Sequence, residues 1–537
     1  MGASCGRFIQ VYKHCRATHY RRTKTFGHRP EKELWSKNDK VQLRMFAGSW
    51  NMGNEVPPSK LQDWLKPGCD IYLIAVEECY YTPRPEYDCC RDDWCNLVQE
   101  ALPSSVMIAR HDMGHCQILL LTSARVSACI HTVVASHEET GLGGLYSNKG
   151  GLALSFYIGD TGLCFVGSHL AAHQGNVQRR NLDTAHIIEG ICLTNDSQRP
   201  LTNQFMHVIW VGDLNYRIDL EPEECERLIH ERAWEELQQH DQLLKVQSEG
   251  TAFCNFREGV LSFPPTYQHT AGEPPDPQTG LRRYDARKAR VPSWTDRVLW
   301  RSFPDAELQL EAGSYTSSPE VCTSDHSPVS AIFRCPVMRP FNTAGKTGQL
   351  FIRLSNLMAT GLQPGEHHIS CRAQFCEESK HTANAMCKDG KANFHSVILK
   401  TKPGVCSIKW LQTRHILIAI CKVDDALESA HMRSHPVSTI MALTGLAEQF
   451  EETDGCGVVS LLGADKPKEF TASLSNSLGV PAGSLHGEIQ VCAPPAHDPD
   501  GILNFTAASA QSFANARELA ADDAQRCCLN FKMMSLV

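Results

Sequence analysis

Six short apolar runs, each stopped by glycine or polar residues, constrain this chain more than any other feature. They are "LRMFAGSWN" (43–51), "IYLIAVEE" (71–78), "QILLLTS" (117–123), "GLALSFYI" (151–158), "LCFVGSHL" (163–170) and "HVIWVGD" (207–213). Runs this short, rich in Ile, Val, Leu and aromatics, read as strands. Four of them end in side chains able to do chemistry: Asn51, Glu78, His169 and Asp213. Helical spacing fills 176–191 and 222–240, and the second stretch opens on Pro222 and two glutamates, a favourable first turn. Strands mixed with helices from about 41 to 336 predict an α/β or α+β layered domain.

A second unit starts near Gly348. "GQLFIRLSNLMATGL", "HHISCRAQF", "NFHSVILK", "SIKWLQ" and "HILIAICKVDD" are short alternating segments with few helical stretches between them, which predicts an all-β sandwich. The expected division is a basic arm (1–40), a catalytic domain (41–340), the β-sandwich (345–495) and an Ala-rich tail (496–537) that forms one helix, packed or free. No apolar run reaches the roughly 18 residues of a membrane span. The 24 cysteines are scattered, adjacent only at Cys89–Cys90 and Cys527–Cys528, with no CxxC pair and no secretory apolar region. That usage predicts buried thiols in a reducing compartment, and hence a cytoplasmic protein. Charge is uneven. Residues 1–32 hold Arg7, Lys13, Arg16, Arg21, Arg22, Lys24, Arg29 and Lys32 against Glu31 alone, a net +7 that leaves −15 on the remainder of a chain of net −8. Such an arm is either a ligand for an anionic partner, membrane or nucleic acid, or a solvated tail.

Glu78, Asp213 and Asp325, with Asn51 and Asn215, make the hard, oxygen-rich set that Mg²⁺ prefers. His169 and His326 add groups that exchange protons near neutrality. No cysteine lies within these motifs, which argues against zinc. One polar residue at a strand end is usually a turn former or a cap; the convergence of several is what suggests a site.

"WVGDLNYR" (210–217) and "RVPSWTDRVLW" (290–300), with "SWNMG" (49–53), "NKGG" (148–151), "GSHLAAH" (167–173), "PPTY" (264–267) and "SDHSPV" (324–329) in order, resemble the inositol polyphosphate 5-phosphatases. The resemblance covers about 41–336 and implies a four-layer αββα sandwich, shared with magnesium-dependent endonucleases and sphingomyelinases. It implies Mg²⁺ held by Glu78 with Asn51, and Asp325 near the metal. It implies that Asp213 orients and deprotonates the attacking water, with Asn215 on the same face bonding a phosphoryl oxygen. His326 would contact the phosphate, oriented by Asp296, and His169 would be a second phosphate-facing histidine. Lys149, Tyr267, Lys288 and Arg290 would bind substrate, a phosphoinositide lipid or a soluble inositol polyphosphate.

The sequence also departs from the family's pattern. Glu77 stands where the family has glutamine, so it either adds negative charge beside the metal or faces away by alternation. Thr295 replaces a cysteine and should be neutral. Gln268 replaces a lysine or arginine that grips a 4-phosphate, which puts the ranking of substrates in question. Trp210 and Trp294 read as core or loop anchors, His173 and His269 as surface or satisfied histidines, and Arg179 and Arg180 as a salt-bridging helix face. Arg297 reads equally as a partner for a buried carboxylate or a substrate contact, and "GEPPDPQTG" (272–280) as a flexible excursion.

Two rivals are a nuclease of the same superfamily and a non-catalytic inositide-binding scaffold. The first needs a broad basic groove, which an acidic catalytic segment does not supply, so no nucleic acid is expected. The second should have lost one of the motif residues, and all are present. For membrane association, Gly2 and Cys5 of "MGASCGRFIQ" are acylation candidates beside basic residues, although Gly6 stands where Ser or Thr is preferred. The second unit resembles the synaptotagmin-type lipid-binding sandwich without its clustered aspartates. That implies calcium-independent docking, or equally a rigid brace. The terminal "SLV" is a possible ligand for a carboxylate-capturing module. The expected location is cytoplasmic and peripherally membrane-associated.

Overall fold

The computed structural model describes residues 18–20, 34–35, 40–141, 148–194, 199–285, 287, 290–340, 350–402, 411, 414–423, 437–442, 451–452, 459–460, 467–476 and 479–492. Gly2, Cys5, Lys288, most of the basic arm, the tail from 496 and the terminal "SLV" lie outside the described residues. Fourteen strands precede residue 340: β1 (Thr18–Tyr20), β2 (Lys40–Asn51), β3 (Ile71–Glu77), β4 (Ser105–Met113), β5 (Cys116–Ser123), β6 (Ile130–Glu139), β7 (Gly150–Ile158), β8 (Thr161–His169), β9 (His207–Asp213), β10 (Arg257–Glu258), β11 (Asp296–Ser302), β12 (Gln309–Leu310), β13 (Thr316–Ser317) and β14 (Val329–Met338). They form two sheets, ordered β1-β6-β7-β8-β9-β11-β10 and β12-β14-β2-β3-β5-β4, with β13 also paired to β14.

All six apolar runs are strands, and the alternation of side chains explains how the sheets stack. Met45, Leu73 and Ile118 of one sheet share a core with Phe165, Ile209 and Val298 of the other. The alternate residues face outward. Phe46, Ile74 and Leu119 pack on Trp94, Leu97 and Val98 of the helix Cys90–Ala101. Val166, Trp210 and Leu299 pack on Ile187 and Ile188 of the helix Val177–Gly190 and on Leu243 and Val246 of the helix Gln242–Ser248. Two sheets thus lie between helical outer layers, a mixed α/β fold. Both Trp210 and Trp294 are core residues.

Several expectations change. The 222–240 stretch is two helices, Pro222–His230 and Trp234–Gln239. Arg232 is left-handed (φ 57°), and the Arg232 and Ala233 N–H groups return to the carbonyls of Ile229 and Leu228. This is the closure that usually takes glycine at the turn; with arginine there, periodicity alone misses it. Arg180 is fully buried and donates to the Ala171, His173 and Gln174 carbonyls and to Gln242, not to a carboxylate. Arg179 does pair with Asp183. Arg297 is the partner of buried carboxylates, Asp241 at 3.0 Å and Glu258 at 2.6 Å. The loop 272–280 is tied by Asp276, whose carboxylate accepts from the Gln278 and Thr279 amides. Part of the basic arm also belongs to the fold, since β1 pairs antiparallel with β6.

Beyond Leu350 a ten-stranded antiparallel sheet carries its own core, which includes Ile352, Leu354, Ile369, Ile418 and Leu485. Eight of its strands join in one hydrogen-bonded path, with Ala385–Cys387 and Val397–Lys400 paired off it, and the link between Val437–Ala442 and Lys468–Ser475 is the single pair Ser438↔Ser475. The "SIKWLQ" segment lies almost wholly outside the described residues. The two units touch through buried polar contacts. Arg199 Nη2 donates to the carbonyls of Ser370 (2.9 Å) and Leu417 (3.0 Å), and Asn203 Nδ2 to Ser438 Oγ (2.6 Å). Among the described residues no helix is long and apolar enough to cross a membrane.

Candidate active site

Register brings the chemistry together. The strands β8 and β9 are parallel with His169 opposite Asp213, and β9 and β11 antiparallel with Asp213 opposite Asp296. Three functional residues therefore stand in a row across neighbouring strands of one sheet. On the facing sheet, Asn51 ends β2, Glu78 follows β3, and His326 lies three residues before β14. All but Asp296, which lies buried behind His326, open on a cleft of about 410 Å³ that Lys149, Tyr267, Arg290 and Asp325 also line.

Gly212 makes the central turn possible. Its φ is +139°, and a Cβ there would lie 2.0 Å from the Ser168 carbonyl oxygen on β8. Asn215 follows at φ 57°. The nearness of Asp213 and Asn215 thus comes from this left-handed turn, not from alternation along a strand. Asn215 Nδ2 donates to Asp213 Oδ2 (3.0 Å) and to the Leu170 carbonyl (3.1 Å), and its Oδ1 takes the Arg217 guanidinium. Its side-chain donors are thus taken up by Asp213 and the Leu170 carbonyl.

Asp213 also accepts from Asn51 Nδ2 (3.0 Å) and the Asn215 amide (3.1 Å), and His169 Nε2 lies 3.2 Å away. Burial alone would raise its pKa, but its neighbours His169, then His326 and Lys149, carry it far below the usual carboxylate range. Lys149 Nζ hydrogen-bonds His169 Nε2. Burial, and then Lys149, lowers the pKa of His169.

His326 behaves oppositely. Burial pulls its pKa down, but Asp296, then Asp213 and Asp325, more than offset this and raise it to about 10. Its Nδ1 is 2.9 Å from Asp296 Oδ2, so the imidazolium is held as an ion pair. Thr266 and Thr295 hydroxyls donate to the same Asp296 oxygen at 2.6 and 2.8 Å; Thr295 is thus an orienting contact. Ligand atoms of Asp213, Asp296 and His326 lie within 4.8 Å of one another. A cationic His326 makes that trio a poor cation site.

The donors for a divalent ion lie on the other wall. Glu78 (φ 49°) accepts from Asn54 Nδ2 at 3.1 Å and Asp325 from Gln268 Nε2 at 3.0 Å. Neither carboxylate pairs with a lysine or arginine among the described residues. Gly53 keeps this wall open, since a Cβ there would meet Ser324 Oγ at 2.9 Å and Asp325 Oδ1 at 3.3 Å. The basic groups nearest the two carboxylates among the described residues are histidines, His169 at 3.8 Å from Glu78 and His326 at 3.9 Å from Asp325. These hard oxygen donors fit Mg²⁺.

Glu77 neither faces solvent nor adds charge. It is buried between the sheets, accepts from Ser49 Oγ at 3.0 Å, and burial followed by Asp296 and Asp213 pushes its pKa well up. A neutral carboxylic acid there is close in shape to the glutamine of the family pattern. His269 is likewise no surface residue: it is buried, stacked on Tyr284 at 4.7 Å, and its amide donates to the Asp325 carbonyl. His173 is exposed.

Sequence reasoning missed Arg217 and Arg282. Arg217 is buried with its guanidinium 4.4 Å above the Tyr267 ring, and Arg290 bonds the Tyr267 hydroxyl. Arg282 donates to the carbonyls of His326, Ser324, Cys322 and Thr270, clamping the loop that carries Asp325 and His326. The only signal for Arg217 was its place at the end of "WVGDLNYR"; Arg282 had none.

Residues 48–332, over half of the chain, match Endonuclease/Exonuclease/phosphatase family 2. The chain belongs to that family, and its motifs and relatives place it with the inositol polyphosphate 5-phosphatases. It is 31% identical over 423 residues to phosphatidylinositol 3,4,5-trisphosphate 5-phosphatase 1 of Homo sapiens, covering 72% of this chain and 35% of that protein. It is 33% identical over 311 residues to type II inositol 1,4,5-trisphosphate 5-phosphatase of Mus musculus, covering 54% of this chain and 29% of that one. The chain thus spans about a third of the length of the curated relatives it matches. It is also similar to a solved inositol polyphosphate 5-phosphatase domain of a synaptojanin, with inositol (1,4)-bisphosphate and calcium ion. That similarity has 30% identity and a TM-score of 0.49, covering 57% of this chain and 89% of that one.

Proposed function

We propose that this chain is a Mg²⁺-dependent phosphatase that removes the 5-phosphate from phosphoinositide lipids or soluble inositol polyphosphates. The observation that carries the reading is the convergence of His169, Asp213 and His326 with Glu78, Asn51 and Asp325 on one cleft, Asp296 bonding His326 from behind. An ion bound by Glu78, Asp325 and Asn51 would polarise the phosphoryl oxygens. Asp213, kept ionised, orients water for in-line attack and accepts its proton. His326, kept protonated by Asp296, and Lys149 bring positive charge to the phosphoryl oxygens as negative charge develops on them. Asn51 and Asn215 hold Asp213 in place, so the base needs no reorganisation. Arg290 and Tyr267 line the side of the cleft where a neighbouring phosphate would sit.

Asp213→Asn should fold as the wild type does and release phosphate at roughly 10² -fold or more below the wild-type rate. Inorganic phosphate release, on phosphatidylinositol 4,5-bisphosphate and 3,4,5-trisphosphate with inositol 1,4,5-trisphosphate and single-stranded DNA alongside, is the measurement. Near-normal turnover in this variant, activity in excess chelator, or preference for DNA would each sink the reading.

A further inference from the structure

Cys79 follows Glu78 directly and is buried, its N–H donating to the His115 carbonyl at 2.8 Å. Cys90 is partly buried and opens the 12-residue helix Cys90–Ala101. Its thiol donates to the Cys79 carbonyl oxygen at 3.4 Å, which holds the Cys90 sulfur against Cys79. The cysteines nearby are engaged elsewhere: Cys89 with Asp92, and Cys95 with Gln117 and Arg110. We propose that Cys79 and Cys90 are a modification site, a thiol pair that a peroxide joins as a disulfide, withdrawing the adjacent Glu78 carboxylate from the cation wall.

The microenvironment suits the chemistry. The neighbouring Cys79 lowers the Cys90 pKa to about 6 against the opposing effect of burial, with Arg91 contributing. A helix amino terminus favours the same thiolate. The Cys90 thiolate attacks one peroxide oxygen, the O–O bond breaks, and sulfenic acid and hydroxide form. The Cys79 sulfur then displaces the sulfenic hydroxyl, its proton leaving with that group as water. Together the two thiols lose two electrons and the peroxide ends as two waters. A disulfide needs the sulfurs about 2.05 Å apart, closer than unbonded thiols stand, so the end of β3 must shift. Glu78 is at that end, and its carbonyl and carboxylate are both bonded by Asn54. The consequence for the cation wall rests on the function proposed above; the thiol pair itself does not.

The test oxidises the full chain with hydrogen peroxide and maps its peptides without reduction. The expected product joins Cys79 to Cys90 and reverts with dithiothreitol. Magnesium binding by calorimetry should weaken roughly ten- to a hundred-fold in the oxidised protein and recover on reduction. Cys90→Ser should keep both its magnesium affinity and its phosphate release in peroxide. A free Cys79 thiol after oxidation, or Cys79 joined to another cysteine, would overturn the pair. A joined pair with unchanged magnesium affinity would overturn the coupling to Glu78. A chain that binds no magnesium even when reduced would instead defeat the functional reading, while the peptide map still decides the thiol pair.

Discussion

Gln268 has its side chain turned to Asp325, 3.0 Å from the carboxylate, so it brings no charge to a neighbouring phosphate. Under the proposed function Tyr267 and Arg290, bonded to each other, are left to grip it, with Lys288 outside the described residues. One missing charge-assisted contact is worth about 1.5–3 kcal/mol. Gln268→Lys should therefore raise the ratio of 4,5-bisphosphate to 3,5-bisphosphate turnover by roughly ten- to a hundred-fold, read by phosphate release on both lipids. An unchanged ratio would place the new lysine against Asp325 instead. The motif sequence named this position, but not the direction of its side chain. The same is true of Glu77, where alternation allowed two faces and only the packed sheets show which one is buried.

Adjacent strands set the site's spacing, and the same strands carry a pH liability. His207, which opens β9, is buried, and burial lowers its pKa to about 3. His111 of β4, 3.0 Å from His137, is lowered to about 4 by burial and then by His137. Both lie below the ordinary histidine value of about 6.5, so the folded state disfavours the charged form. Above about pH 6.5 neither group costs stability. As pH falls below that value the unfolded chain takes up protons that the native chain refuses, and stability declines down to the native pKa values. The loss is up to about 2 kcal/mol per group at pH 5. The urea midpoint should fall from pH 7 to pH 5, and less so in His207→Gln; a flat midpoint would refute the assignment. Periodicity marked the strands well because buried strands have a local apolar signature. It missed the break at Arg232, where a closing turn is built without glycine.

The molecule as a whole is two units joined by buried arginine–carbonyl contacts and a small apolar seam of Met206, Phe303, Ala306 and Met338 packed on Leu417 and Ile440. Arg199→Ala would leave the Ser370 and Leu417 carbonyls without this donor. Each such group costs about 1–3 kcal/mol, so calorimetry should show a lower first transition, and an unchanged thermogram would mean the seam alone holds the units. Membrane recruitment is proposed for the amino-terminal arm and the second unit together. Flotation with anionic liposomes should weaken in Gly2→Ala and fail in a 41–340 fragment; equal flotation of all three would exclude both elements. The sequence by itself determined the strands, their terminal polar residues and the order of the motifs, because these depend on local spacing and side-chain chemistry. Only the tertiary structure decided that His169, Asp213 and Asp296 stand in one row, that Asn215 bonds Asp213, and that Glu77 is buried. Those follow from sheet order and from register between strands whose paired residues, His169 with Asp213 and Asp213 with Asp296, are far apart in sequence, which no local pattern encodes.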